Sequence, residues 1–216
     1  MDRLSSKTEF FTVILIGFGY LTLSSLEFAF TASNQQVVFS NSGLEFLMVY
    51  ETIVLLFLGV FLYSRGWKFH WLGLKPYKTD PIVGIGIALF SYLSYVIVYE
   101  LFLYFTSAGI NEDVFSGNLD LLYVIIISII NPIFEEVLVC GYVISYFKQS
   151  SKSFWFAINV SLLIRLSYHL YQGTVGVLSI IPLGLVFTYW FAKTGRLWPV
   201  IIAHILFDFI GLVVFV

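Results

Sequence analysis

Residues 121–147, LLYVIIISIINPIFEEVLVCGYVISYF, decide the fold class of this chain. The run is longer than the ~20 apolar residues with which a helix crosses the hydrocarbon core of a bilayer. Two adjacent acids, Glu135 and Glu136, interrupt it, although hydrophobic packing has no use for a charge there. The stretch therefore predicts a membrane-spanning helix that carries a pair of acids for a purpose other than packing.

The composition of the whole chain supports this interpretation. Of its 216 residues, 59% are hydrophobic and 11% are charged, whereas a typical soluble domain has about 25% charged residues. The composition therefore predicts a single integral membrane domain over residues 1–216, with short loops and no separate soluble domain. Cys140 is its one cysteine, which excludes an internal disulfide framework and a cysteine-based zinc site.

Seven apolar stretches predict an all-α, polytopic membrane bundle of about seven transmembrane helices. They lie near residues 10–30, 45–64, 82–105, 121–147, 154–171, 174–192 and 199–216. The Asn131-Pro132 pair predicts a kink in the fourth helix, because proline lacks the N–H that an α-helix needs.

The basic residues predict the orientation of these helices. Ten of the eleven fall before the first helix or in alternate connections, on one side of the membrane. They are Arg3, Lys7, Arg65, Lys68, Lys75, Lys78, Lys148, Lys152, Lys193 and Arg196. The connection with Glu112, Asp113 and Asp120 has none. The positive-inside rule then puts the N-terminus inside and the C-terminus outside.

Seven ionisable residues lie deep within the predicted spans, where one charge costs at least about 2.5–3.5 kcal/mol. They are Glu51, Glu135, Glu136, Arg165, His169, His204 and Asp208. All but Glu51 fall on the fourth, fifth and seventh helices. Such clustering is typical of a functional site inside a helical bundle, whereas Glu51 alone is more typical of a single hydrogen bond to a neighbouring helix.

Helical spacing arranges these residues in pairs. Arg165 and His169 are four residues apart, as are His204 and Asp208, so each pair shares a helix face. Glu135 and Glu136 are about 100° apart around their helix. One acid can therefore face a cavity while the other faces a neighbouring helix.

The turn between the fourth and fifth helices sets their relative depth. Counting away from residue 150 puts Glu136 opposite Arg165, and Glu135 within about a turn of His169. We therefore expect a Glu136–Arg165 ion pair that leaves Glu135 free of the arginine. On the seventh helix, the count puts Asp208 level with the acids and His204 about one turn deeper; tilt or a recessed helix end would change this.

Such residues can activate water. A carboxylate and an imidazole can act together as a general base or hold a Zn²⁺ that activates the water, and a second histidine with an aspartate can add ligands or stabilise an oxyanion. The chain has no HExxH motif, so the usual local zinc-protease signature is missing.

In these motifs the chain resembles the CPBP family of intramembrane proteases, also called the CAAX protease and bacteriocin-processing or Abi family. The family pattern EExxxR, FxxxH and HxxxN/D corresponds here to EEVLVC at 135–140, RLSYH at 165–169 and HILFD at 204–208. The resemblance covers about residues 120–216. Two positions depart from it: Cys140 stands where the family has arginine, and Arg165 where it has phenylalanine. We hypothesise that Arg165 supplies the missing guanidinium.

The resemblance implies an endopeptidase that cuts a membrane-associated peptide or protein. Glu135 and His169 would activate the water, and His204 with Asp208 would bind metal or stabilise the oxyanion. The implied catalytic set is Glu135, Glu136, His169, His204 and Asp208. A zinc ion on Glu135, His169 and His204 and a metal-independent mechanism both stay open.

Two alternatives stay open beside the protease. One is an inactive family member that acts in bacteriocin self-immunity by binding, because two motif positions have changed. The other is a proton-coupled transporter, since membrane-embedded Glu, His and Asp form proton relays; the lack of an inverted repeat argues against it. We expect a multi-pass protein of a bacterial cell membrane, in contact with lipid and substrate and not with nucleic acid.

Overall fold

The computed structural model describes residues 7–31, 37–106 and 115–216. Arg3, Glu112 and Asp113 lie outside these residues. The described chain forms seven helices: α1 (Lys7–Thr31), α2 (Asn41–Ser64), α3 (Asp80–Thr106), α4 (Leu121–Gln149), α5 (Phe154–His169), α6 (Gly173–Thr194) and α7 (Trp198–Val213). The predicted all-α polytopic bundle is confirmed.

Five of these helices, α1, α2, α3, α4 and α6, are long and apolar enough to cross a membrane. The other two are shorter: α7 has 16 residues and is apolar, and α5, which carries Arg165, also has 16. At about 1.5 Å per residue, 16 residues reach ~24 Å, less than the ~30 Å hydrocarbon core. Both short helices carry residues of the predicted site.

Helix α4 lies at the centre of the bundle. More than half of the residues in its apolar membrane-spanning stretch are buried, whereas about a fifth are buried in the corresponding stretches of α1, α2 and α3. It is not α-helical throughout: Val137–Tyr142 form a π-helical segment between Leu121–Glu136 and Val143–Gln149. The α-helix continues through Pro132, so the irregularity begins one turn after the predicted kink and directly after Glu136. Such π-helical insertions are frequent at functional sites.

One end of the bundle carries the basic residues predicted to be inside. Arg65, at the end of α2, donates from Nε to Glu9 Oε2 on α1 at 2.8 Å. Arg196, after α6, is paired with Asp80 at the start of α3. Leu197 N donates to Gly73 O at 3.1 Å, which ties the start of α7 to the loop between α2 and α3.

The opposite end is closed by short extended segments. Strand β1 (Val37–Phe39) pairs in parallel with β2 (Phe115–Gly117). The side chain of Asn41 donates to Asp120 Oδ2 at 2.8 Å, and Leu119 N donates to Phe215 O at 2.8 Å. These contacts join the connections before α2 and α4 to the end of α7.

The predicted orientation can be tested with single cysteines at the two ends of α2. Cys140 is buried and should give little background labelling. We expect Ser42→Cys to react with a membrane-impermeant maleimide in intact spheroplasts and Ser64→Cys to react only after lysis, since both native serines are exposed. The reverse pattern would contradict an inside N-terminus.

Candidate active site

The two acids of α4 face different surroundings. Glu135 is 3% exposed and lines a cavity of about 630 Å³, whereas Glu136 is fully buried and does not line it. This follows from the ~100° between successive helical residues. The two acids are therefore positioned for different roles.

Arg165 of α5 is paired with both acids. Its Nη2 donates to Glu136 Oε2 at 2.8 Å and its Nη1 to Glu135 Oε2 at 3.2 Å. The expectation that Glu135 would be free of the arginine is therefore wrong. The depth count treated the side chain as a single point, whereas a guanidinium has two terminal nitrogens that can reach adjacent carboxylates.

The guanidinium lies beside the position where the family has its own arginine. Arg165 Nη2 is 3.9 Å from Cys140 Sγ. A side chain at Gly184 of α6 would come within 3.2 Å of Arg165 Cδ, so this glycine leaves room for the arginine stem. The small residues at 140 and 184 together accommodate a guanidinium that comes from α5 rather than from α4.

His169 faces Glu135 across a gap. Its Nε2 is 3.7 Å from Glu135 Oε2, which is too long for a direct hydrogen bond, and this buried nitrogen has no hydrogen-bond partner within the described part of the chain. Its Nδ1 lies 3.2 Å from Gln172 Nε2. Because an amide nitrogen can only donate, Nδ1 is the acceptor and Nε2 of a neutral ring carries the proton. His169 is therefore arranged to donate a hydrogen bond towards the space beside Glu135.

Tyr168 also holds Glu135. Its hydroxyl donates to Glu135 Oε2 at 2.7 Å, and its ring stacks on Phe18 of α1 with centroids 4.7 Å apart. The carboxylate is thus held by Tyr168 and Arg165 on one oxygen and by Asn131 Nδ2, at 3.3 Å, on the other.

His204 of α7 lies between two carboxylates. Its Nδ1 is 2.7 Å from Glu136 Oε1 and its Nε2 is 3.3 Å from Asp208 Oδ1. The count that put Asp208 level with the acids and His204 deeper is therefore wrong: His204 meets Glu136, and Asp208 reaches the site through His204. The start of α7 is recessed, because Leu197 is fully buried beneath the loop that contains Gly73.

Glu51 of α2 is joined to the site through Asn131. The Asn131 amide donates to Glu51 Oε1 at 3.0 Å and to Glu135 Oε1 at 3.3 Å. Glu51 is fully buried and lines the same cavity. The predicted hydrogen bond from Glu51 to a neighbouring helix is present, but its partner is the asparagine that holds Glu135.

The cavity has a polar inner end and apolar walls. Its ionisable lining residues are Glu51, Glu135, His169, His204 and Asp208. Apolar residues such as Leu21, Leu44 and Phe215 line the rest, towards the end of the bundle that carries β1 and β2. An extended apolar peptide segment could therefore reach the acids from that end.

One group of side chains among the described residues has the spacing of a metal site. Ligand atoms of Glu135, Glu136 and His204 lie within 4.8 Å of one another; the set expected from sequence, with His169 in place of Glu136, is not the one that converges. The chemistry of this group fits a metal poorly. The Arg165 guanidinium already contacts both carboxylates and places a positive charge beside them, and Glu136 and His204 are directly hydrogen-bonded at 2.7 Å.

The fold and site define a polytopic helical membrane protein with buried glutamates and histidines beside a cavity. Residues 117–210 match the family model described as type II CAAX prenyl endopeptidase, Rce1-like. The resemblance to the CAAX protease family is thereby confirmed over these residues, and the match supports an intramembrane protease of this type. No curated protein and no solved structure matches the chain.

The structure brings all of the residues singled out from the motifs into one cluster. Two of them lie at its edge: His169 is beside Glu135, and Asp208 is beside His204. Besides Glu51, three contributors lay outside the motifs: Asn131, Gln172 and Gly184. Asn131 stood out in the sequence only as the residue before a proline. A polar residue one turn before Glu135 in an apolar span was the signal that could have identified it.

Proposed function

We propose that the chain is an intramembrane endopeptidase in which Glu135 activates the attacking water. The main support for this proposal is the arrangement of Glu135 and His169. Both line the cavity, and the unpartnered Nε2 of His169 is 3.7 Å from the carboxylate. A water beside both groups would accept a hydrogen bond from His169 and donate one to Glu135.

The reaction would then follow general base catalysis. Glu135 takes a proton from the water while the water oxygen attacks the carbonyl carbon of the peptide, and the carbonyl electron pair moves onto its oxygen. His204 is held by Glu136 through Nδ1, and its Nε2–H, 3.3 Å from Asp208 Oδ1, would be shared with that oxyanion. When the C–N bond breaks, Glu135 passes its proton to the leaving nitrogen, which restores the carboxylate.

In this mechanism Glu136 and Arg165 do not react; their ion pair holds Glu135 in place. Their ion pair at 2.8 Å is buried, and the same guanidinium contacts Glu135 at 3.2 Å. A positive charge at that place keeps two adjacent acids tolerable in an apolar interior. This supports an active protease over an inactive binding protein, because the guanidinium that position 140 lacks is supplied by position 165.

The poor fit of a metal leads us to propose a metal-independent mechanism. Purified protein in lipid vesicles should cleave single-span reporter peptides equally well before and after treatment with EDTA and 1,10-phenanthroline. A zinc protease treated in the same way provides the positive control. Loss of cleavage on chelation, with recovery on adding Zn²⁺, would contradict the metal-independent mechanism and leave the protease assignment intact.

The substrate class follows from the cavity. We propose an apolar, membrane-associated peptide that enters from the end that carries β1 and β2. The test is a pool of single-span reporter peptides incubated with the reconstituted protein, with products identified by mass spectrometry. Cleavage near the end of the span that faces β1 and β2 is the expected result; intact peptides throughout would favour an inactive binding protein.

A further inference from the structure

Among the described residues, two buried polar atoms without hydrogen-bond partners belong to side chains that line the catalytic cavity. They are His169 Nε2 and Glu51 Oε2. A buried polar atom left without a partner costs about 1–3 kcal/mol, so a ligand that supplies the partner would recover this cost. The proposed mechanism gives His169 its partner, the attacking water, but gives Glu51 none.

The surroundings of Glu51 favour an uncharged carboxylic acid. Glu51 is fully buried, and the described residues that line the cavity include no lysine or arginine. Its one side-chain partner among the described residues, Asn131, also holds Glu135, which shares the single Arg165 cation with Glu136. A second anion beside Glu135 without a cation of its own would be strongly disfavoured.

A neutral acid at this place has one proton to donate. Its Oε1 accepts the Asn131 amide at 3.0 Å, which leaves the proton on Oε2, the atom without a partner. The Asn131 bridge fixes Glu51 on the wall next to Glu135, on the side of that carboxylate away from Arg165 and Tyr168. An O–H group there can reach a carbonyl oxygen bound next to Glu135.

We propose that Glu51 is a second hydrogen-bond donor of the active site, whose Oε2–H binds the oxygen of the scissile carbonyl. The proposal rests on the proposed protease function. Glu51 keeps its proton throughout: it stabilises the oxyanion together with His204, and Glu135 carries out the proton transfers. Residue 51 lies outside the three motifs and outside the matched residues 117–210.

Kinetics of three variants test the donor role. Glu51→Leu should lower kcat by about 10²–10³-fold, the usual effect of removing one oxyanion donor, with KM changed much less. Glu51→Gln should lose far less, about tenfold or under, because the amide can accept from Asn131 and still donate to the substrate. Glu45→Gln, at an exposed position on the same helix, is the matched control.

Two kinetic results would overturn the donor role of Glu51. Equal losses in Glu51→Gln and Glu51→Leu would overturn it, because the amide keeps the donor. Full kcat in Glu51→Leu would overturn it too. The thermal unfolding of each variant in detergent is measured alongside, and the comparison of kcat between the two Glu51 variants is made on folded protein only.

Infrared spectroscopy tests the protonated acid without any cleavage. The difference spectrum of wild type minus Glu51→Gln at neutral pH should contain the C=O stretching band of a protonated carboxylic acid. A carboxylate band in its place would overturn the proposal. If the wild type cleaved no reporter at all, the proposed protease function would fail, while the infrared spectrum would still decide the state of Glu51.

Discussion

Glu135→Gln is expected to lower kcat by about 10²–10⁴-fold, the range that a positioned general base contributes. The amide has nearly the same shape but cannot take a proton from water. Its oxygen can still accept from Tyr168, which donates to Glu135 Oε2 at 2.7 Å, so the variant should remain folded. Cleavage of a reporter peptide by purified protein, with kcat and KM determined separately, is the measurement.

Glu45→Gln is the matched control for this prediction, since it removes the charge of an exposed glutamate and should leave kcat unchanged. The interpretation of Glu135 as general base would fail if Glu135→Gln, folded as judged by its unfolding temperature, kept more than about a tenth of the wild-type kcat.

Arg165→Phe is expected to destabilise the protein by about 3–5 kcal/mol, the usual cost of removing one partner from a buried ion pair. Arg165 is 2% exposed, and its guanidinium pairs with Glu135 and Glu136. Without it, two adjacent buried acids lose their cation. The measurement is the free energy of unfolding in mixed detergent micelles.

The double variant Cys140→Arg/Arg165→Phe should recover much of this loss, because it restores the arrangement of the family motif. An arginine at 140 lies one turn after Glu136 on the same face of α4, and Cys140 Sγ already lies 3.9 Å from the present guanidinium. Cys140→Arg alone should destabilise the protein, since it adds a second buried cation. A double variant no more stable than Arg165→Phe would contradict the relocation of the guanidinium.

The helices were predictable because the lengths of apolar runs alone determine where membrane helices can form. The pairing of Glu136 with Arg165 also follows from sequence, because a short turn fixes the relative depth of α4 and α5. The features that could not be predicted from the sequence depend on packing between segments that are distant along the chain. The recessed start of α7, for example, depends on the hydrogen bond from Leu197 to Gly73 O.

Two parts of the site could not be predicted from the sequence for the same reason. The π-helical segment Val137–Tyr142 has no sequence signature in an apolar run, because it is set by the neighbours of α4. The bridge from Glu51 through Asn131 to Glu135 depends on a hydrogen bond between Glu51 and Asn131, which are 80 positions apart. Periodicity within one helix has no information about such a contact.

We propose that Glu135 in this cavity activates water to cut a peptide bond. The most direct test is mass spectrometry of one reporter peptide incubated in H₂¹⁸O with wild type and with Glu135→Gln, both purified and reconstituted in the same way. We predict a fragment with one ¹⁸O in its new carboxylate from the wild type and almost none from the variant. Equal amounts of that fragment from both proteins, or none from either, would contradict the claim.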